Sequence, residues 1–223
     1  MLSFKSHLSE GVNDPAIFKA VFLAGGPGSG KSFIVGQTAL QSLGMKLINS
    51  DPAFENALEK AGLDKKNPDD IFSEPGQAAR AKAKKLTKNQ MNLAVNGRLG
   101  LIIDGTGKDS DKLKKQSTQL KKLGYETAMI FVNTDLETAL ERNRNRDRQL
   151  PDAVVEKMWK DVQRNIGDFQ RIFGEKMFVI DNSDGANYKS QVQTVYKKIS
   201  AWSKKSPYMP QAKAWITGQK SKK

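Results

Sequence analysis

The sequence has no cysteine and a single histidine, His7. Disulfides and thiolate metal sites are thereby excluded, and the absence fits a reducing compartment, so the cytoplasm is the expected location. His7 sits close to the N-terminus and is expected to be non-functional, which leaves no zinc site and no histidine base. No apolar run approaches the roughly 20 residues that a membrane helix needs. The opening stretch MLSFKSHLSEGVNDP has no hydrophobic signal-peptide core. No membrane partner is expected.

Acid is missing from two long stretches that are rich in base. Gln77 to Arg98 holds six basic residues and no carboxylate, and Ala201 to Lys223 holds six lysines and no carboxylate. The net charge is +13 over 223 residues. Each run alone reads as a solvated face or a tail. Together they point to a polyanionic partner such as nucleic acid, whose phosphates neutralise Lys and Arg.

What is present is a phosphate-binding loop. Val21 to Gly36 reads VFLAGGPGSGKSFIVG, an apolar run, a glycine-rich turn, Lys-Ser and more apolar residues. Gly25-Gly26-Pro27-Gly28-Ser29-Gly30-Lys31-Ser32 fits G-x-x-x-x-G-K-[ST]. The glycines let backbone N–H groups turn toward phosphate oxygens, and the following helix adds its positive end. Lys31 is expected to reach the β- and γ-phosphates of ATP, and Ser32 to hold Mg²⁺.

Periodicity predicts strands over 16–24, 45–49, 99–104, 125–134 and 176–180. Helices are predicted over 31–43, 52–63, 77–96, 109–124, 135–146, 152–173 and 188–203, with KNPDD as a loop. Leu113, Leu120 and Leu123 are expected to face the core. The alternation predicts an α/β fold with about five parallel strands and helices on both faces. Residues 1–15 read as a leader or extension, 16–203 as the P-loop domain and 204–223 as a basic tail.

In such sheets ligands sit outside the carboxyl ends of the strands. Asp51 follows the second strand and Asp104 ends the third, so both should meet the P-loop in one cleft. Asp51 is a candidate general base that takes the proton of an acceptor hydroxyl during γ-phosphate transfer, although an Asp before Pro52 also suits a helix cap. Asp104 would orient the acceptor or a Mg²⁺-bound water, with Thr106 and Lys108 lining the same cleft. The residue after Asp104 is Gly105 rather than the glutamate that activates water in many ATP-driven motors, which favours a transferase. In ERNRNRDRQLP four arginines alternate, and Arg142 and Arg146, at i and i+4, can point together as lid residues over the triphosphate. Asp181 and Asn182, after the fifth strand, are candidates for contact with the base.

AGGPGSGKS, INSDPAF and IIDGTGKDSDKLKKQSTQLKKLGYET resemble the zeta-toxin-like P-loop kinases. ERNRNRDRQLPDAVVEKM is similar to the lid and following helix of phage polynucleotide 5′-kinases. The resemblance spans about Phe18 to Asp184. It implies that Asp51 is the base, Asp104 an acceptor-side carboxylate, and Arg142 and Arg146 the lid arginines. Asp104 stands where the toxins carry Glu, and Lys108 where they carry Arg. With the basic balance, this points to a nucleic-acid acceptor, through a 5′-hydroxyl or a base hydroxymethyl group. The alternatives are a UDP-sugar or other small metabolite as acceptor, and a nucleic-acid-stimulated ATPase or nucleotide-binding module. Leu8-Ser9-Glu10 before Gly11 resembles the sites cut by tailed-phage prohead proteases, which implies a mature chain starting at Gly11 and packaging in a virion.

Overall fold

A computed structural model describes residues 12–146 and 149–221. His7, the Leu8-Ser9-Glu10 pattern and Arg148 lie outside the described residues. Strands β1 (Lys19–Ala24), β2 (Lys46–Ile48), β3 (Leu101–Asp104), β4 (Glu126–Asn133) and β5 (Met177–Asp181) form one sheet in the order β2-β3-β1-β4-β5. All four pairings are parallel. β1 is central and wholly buried, which is why it reads as a continuous apolar run. The register sets Leu23 beside Asp104 and Asn133 beside Asp181. The β3 carboxylate therefore lies next to the strand that feeds the P-loop.

Helix α1 (Lys31–Thr38) follows β1. Helices α2 (Asp51–Lys60), α3 (Pro68–Phe72) and α4 (Glu74–Asn96) form an excursion between β2 and β3. Helix α5 (Ser110–Lys122) precedes β4. Helices α6 (Leu136–Arg144), α7 (Asp152–Arg164) and α8 (Ile166–Phe173) run on to β5, and α9 (Tyr188–Ser203) and α10 (Pro210–Lys220) complete the described chain.

Successive residues of β1 face opposite sides. Phe22 and Ala24 join Phe131, Val162, Phe169 and Phe173 on one face. Val21 and Leu23 join Ile34, Val35, Val192 and Ile199 on the other. The excursion has its own apolar cluster of Phe54, Leu58, Ile71, Ala79 and Ala83.

Several expectations are corrected. The first strand starts at Lys19, because Ala16 and Phe18 both adopt positive φ (58°), which breaks the extended run. The helix expected over 31–43 ends at Thr38, where Ala39 turns left-handed (φ 45°), and continues as a 3₁₀ turn over Leu40–Leu43. KNPDD is helical: the Asn67 side chain accepts from the Asp69 amide and Pro68 occupies the first turn of α3. Ser73 caps α4 in the same way, accepting from the Gly76 amide, so that helix starts before Gln77. The helix expected over 152–173 breaks at Asn165. Leu120 is buried and Leu113 packs against the core, but Leu123 is 38% exposed.

The expected tail over 204–223 holds helix α10 instead. Ala212 is fully buried, and Met209, Trp215 and Ile216 pack on the core. Trp215 meets Phe18 edge-on at 5.5 Å. The chain entering α10 is fastened to a buried ion pair, Lys19 to Glu126 at 2.8 Å. Glu126 accepts from Trp202 Nε1 at 2.9 Å and from the Tyr208 amide at 3.2 Å. Prolines and lysine pairs masked a helix whose apolar residues recur at helical spacing.

Candidate active site

The loop after β1 is shaped by close packing. Gly28 (φ 75°) lies so near α6 that a Cβ there would meet the Ala139 carbonyl oxygen at 2.2 Å. At Gly30 (φ 78°) a Cβ would meet Asn182 Nδ2 at 2.4 Å. Glycine is required at Gly28 by both backbone conformation and space, and favoured at Gly30 by its left-handed conformation. Asn182 donates from Nδ2 to the Ser29 carbonyl (2.9 Å), so the turn after β5 braces the loop. The Gly25 amide donates to the Thr106 carbonyl (3.1 Å), which ties the turn after β3 to the loop's first residue. Gly26 lies under α7, where a Cβ would stand 3.7 Å from Trp159 Cα. Trp159 Nε1 donates to the Thr134 carbonyl (2.7 Å), and this fixes α7 over the end of β4.

Lys31 begins α1, and its Nζ donates to the Gly25 carbonyl at 2.8 Å. Burial pushes its ammonium below the ordinary lysine range; Asp104 and Asp51 oppose that push and Arg146 adds to it. Ser32 follows at an exposed position. Asp51 is the first residue of α2, with Pro52 second; the Asp51 amide donates to Asn49 Oδ1 (2.8 Å). Asp104 Oδ1 is buried and has no hydrogen-bond partner among the described residues. Burial raises the Asp104 carboxyl above the usual range; Lys31 lowers it, Asp51 raises it, and the Gly105 amide lowers it. Lys31, Asp51, Asp104 and Arg146 thus share one electrostatic neighbourhood, assembled from β1, β2, β3 and the end of α6. Thr106 is half-buried beside it, and Lys108 is exposed.

That neighbourhood makes a sign prediction. If the Asp104 carboxyl is followed by carbon NMR, it should titrate above the ordinary aspartate range. Lys31→Met should move it further up and Asp51→Asn should bring it down, because one removes a cation and the other an anion. Shifts of the same sign in both variants would show that the three groups do not sense one another directly.

The two arginines expected to form a lid part company. Arg142 donates from NH1 to the Asn182 carbonyl and from NH2 to Asp184 Oδ1, both at 2.7 Å. It is bound to the turn after β5, beside Gly30. Arg144 pairs with Asp152. Arg146, in the bend after α6, is exposed and is the one of the two whose charge reaches Lys31. Asp181 accepts from the Ser183 amide (3.1 Å) and hydroxyl (2.7 Å), forming a turn.

These residues fit a nucleoside triphosphate. The loop presents backbone with no room for a side chain at Gly28, a helix N-terminus and a lysine, and the Ser29 hydroxyl lacks a partner among the described residues. Ser32 stands where a Mg²⁺ ligand belongs in such a loop; the ion would neutralise phosphate charge. Motif reading singles out the loop and both aspartates, which the strand order brings to one edge of the sheet. It missed Asn182 as a brace, Trp159 over Gly26 and Asp184 under Arg142, which sequence spacing does not announce.

A family model described as an AAA domain matches residues 21–167. No curated protein matches in sequence. Among solved structures, a chain from the PezAT chromosomal toxin–antitoxin system of Streptococcus pneumoniae has TM-score 0.59 at 18% identity, over 89% of this chain and 92% of that one. The AvrRxo1-ORF1:AvrRxo1-ORF2 complex with ATP gives 0.58 at 13% identity, over 88% and 70%. The Pnkp1/Rnl/Hen1 RNA repair complex gives 0.52 at 17%, over 71% and 47%. At these identities the likeness is one of fold, that of the P-loop kinases.

Proposed function

The chain belongs to the AAA domain family, and from that premise we propose that it is an ATP-dependent kinase that transfers the γ-phosphate to a hydroxyl on nucleic acid. The observation that supports this reading is the shared electrostatic neighbourhood of Lys31, Asp51, Asp104 and Arg146 at the P-loop edge of the sheet. A solved neighbour holds ATP. Lys31 neutralises charge on the triphosphate, and Asp51 takes the acceptor's hydroxyl proton as the acceptor oxygen bonds to the γ-phosphorus. The bond to the bridging oxygen breaks and ADP leaves. Asp104, with an unpartnered oxygen, orients the acceptor hydroxyl. Thr106 and Lys108 border the acceptor side.

The net charge of +13 and the acid-free run over Gln77–Arg98 favour a polyanionic acceptor. A neighbour from an RNA repair complex agrees with that choice. The neighbour from a toxin–antitoxin system favours a second reading, a toxin-type kinase, for which a UDP-sugar or another small metabolite would be the acceptor. The test is labelled ATP against single-stranded and duplex DNA, RNA, hydroxymethylated DNA, nucleosides and UDP-sugars. Label on a nucleic acid supports the first reading, label on a UDP-sugar the second. Phosphate release without any labelled acceptor would identify an ATPase.

Arg146 should act on transferring charge and Arg142 on the nucleotide site. Arg146→Lys should slow transfer about tenfold or more, because an ammonium cannot reproduce the planar fork. ATP affinity should change far less. Equal losses in rate and affinity would assign Arg146 to ground-state phosphate binding.

A further inference from the structure

We propose that helix α4 carries a phosphate track for a single-stranded acceptor: Arg80, Lys84 and Lys88, leading toward Asp51. The proposal rests on the nucleic-acid reading above and names the surface that would hold the strand.

The stripe follows from helix geometry. Residues at i, i+4 and i+8 fall along one side of a helix, about 6 Å apart per step at 1.5 Å per residue. That spacing exceeds the roughly 3.4 Å per nucleotide of a stacked strand, so it suits an extended one. α4 packs inward through small residues, Gly76, Ala79, Ala83 and Ala94. Its long cationic side chains are left outside, and Lys84, Lys85 and Lys88 are exposed. The stripe begins at the acceptor side of the cleft. The Arg80 guanidinium lies 4.2 Å from the ring centroid of Phe54. Phe54 is in the first turn of α2, three residues after Asp51.

Neutralisation separates the lysines of this helix from the cations of the nucleotide side. In α6 to α8, Arg142 pairs with Asp184, Arg144 with Asp152, Arg164 with Asp161 and Arg171 with Asp168. Lys157 and Lys160 pair with Asp161 and Glu156. On α4, Lys82, Lys84, Lys85 and Lys88 have no ion pair or hydrogen bond among the described residues. No carboxylate occurs between Gln77 and Arg98 to supply one. Like charges at i, i+4 weaken a helix. A phosphate backbone lying along the stripe removes that repulsion, as in grooves that follow single strands.

The test uses the full chain and a single-stranded 12-mer oligodeoxythymidine with a 5′-hydroxyl. Binding is read by fluorescence anisotropy across a salt series, and transfer by initial rates. Lys84→Gln/Lys88→Gln should reduce the slope of log K against log salt by roughly 1.4 and weaken binding about 20-fold at 0.1 M salt. The KM for the 12-mer should rise in step, with kcat and the KM for ATP unchanged and a dinucleotide acceptor unaffected. Lys189→Gln/Lys197→Gln, on exposed positions of α9, removes equal charge elsewhere and should do little. An unchanged slope in the α4 variant, or an equal change in the α9 variant, overturns the track. Phosphorylated 12-mer with an unaltered slope discards the track and keeps the acceptor reading. Binding that depends on Lys84 and Lys88 without transfer to any DNA or RNA keeps the track and discards the acceptor reading.

Discussion

Replacing Lys31 with methionine is expected to lower phosphoryl transfer by about 10³-fold or more, with only a small change in melting temperature. A cation aimed at developing phosphate charge in a water-poor site is worth several kcal/mol at the transition state. Methionine keeps the length of the stem and loses the charge. ATP binding should weaken too, since the ground-state triphosphate is also anionic. The fold should survive because two effects oppose. The ammonium is costly to bury, and its removal relieves that cost. Its attraction to Asp104 and Asp51 is lost with it. Asp104, already raised by burial, takes up a proton more readily instead of remaining an uncompensated charge. Label transfer and thermal unfolding on the same preparation check both halves. Near-normal transfer by a folded Lys31→Met protein would remove the kinase assignment.

The parts of the site that sequence could disclose are those fixed by local geometry. Gly28 is a glycine because backbone conformation and a neighbouring atom forbid anything larger, and Gly30 because its conformation is left-handed, and that leaves a mark in the motif. Asp51 and Asp104 were expected to converge because parallel strands deliver their carboxyl ends to one edge, and β1 and β3 are direct partners. Contacts made across long separations leave no comparable mark. Asn182 holds Ser29 from 153 residues away, and any polar residue after β5 looks alike in sequence. Arg142 and Arg146 share a helical spacing, but Asp184 claims the first and the end of α6 frees the second from the helix face.

The C-terminal segment departs from expectation for a different reason. Its composition and its periodicity conflict: lysines and prolines suggest a tail, while Ala212, Trp215 and Ile216 carry the helical pattern. Gly124 (φ 100°) gives the complementary signal on the partner surface, since a Cβ there would crowd the Ala212 amide nitrogen at 2.7 Å.

Asp51→Asn is expected to reduce transfer by about 10²-fold or more while leaving the fold nearly as stable as before. Asparagine preserves the side chain's shape and can still accept a hydrogen bond, but it cannot carry away the acceptor proton. Its structural cost is small. The Asp51 amide is satisfied by Asn49, whichever residue stands at position 51. Loss of a negative charge from the first turn of α2 costs about 0.3–1 kcal/mol. Removal of the Asp51 charge also relieves its repulsion of Asp104, which offsets part of that cost. ATP affinity should hold or rise, since an anion beside the triphosphate has gone. A residue that merely starts the helix would behave differently: its asparagine variant would transfer phosphate at the wild-type rate, with an equal melting temperature. That pair of results would return Asp51 to a structural role. A large loss of kcat with intact ATP binding and melting would leave proton transfer as its task.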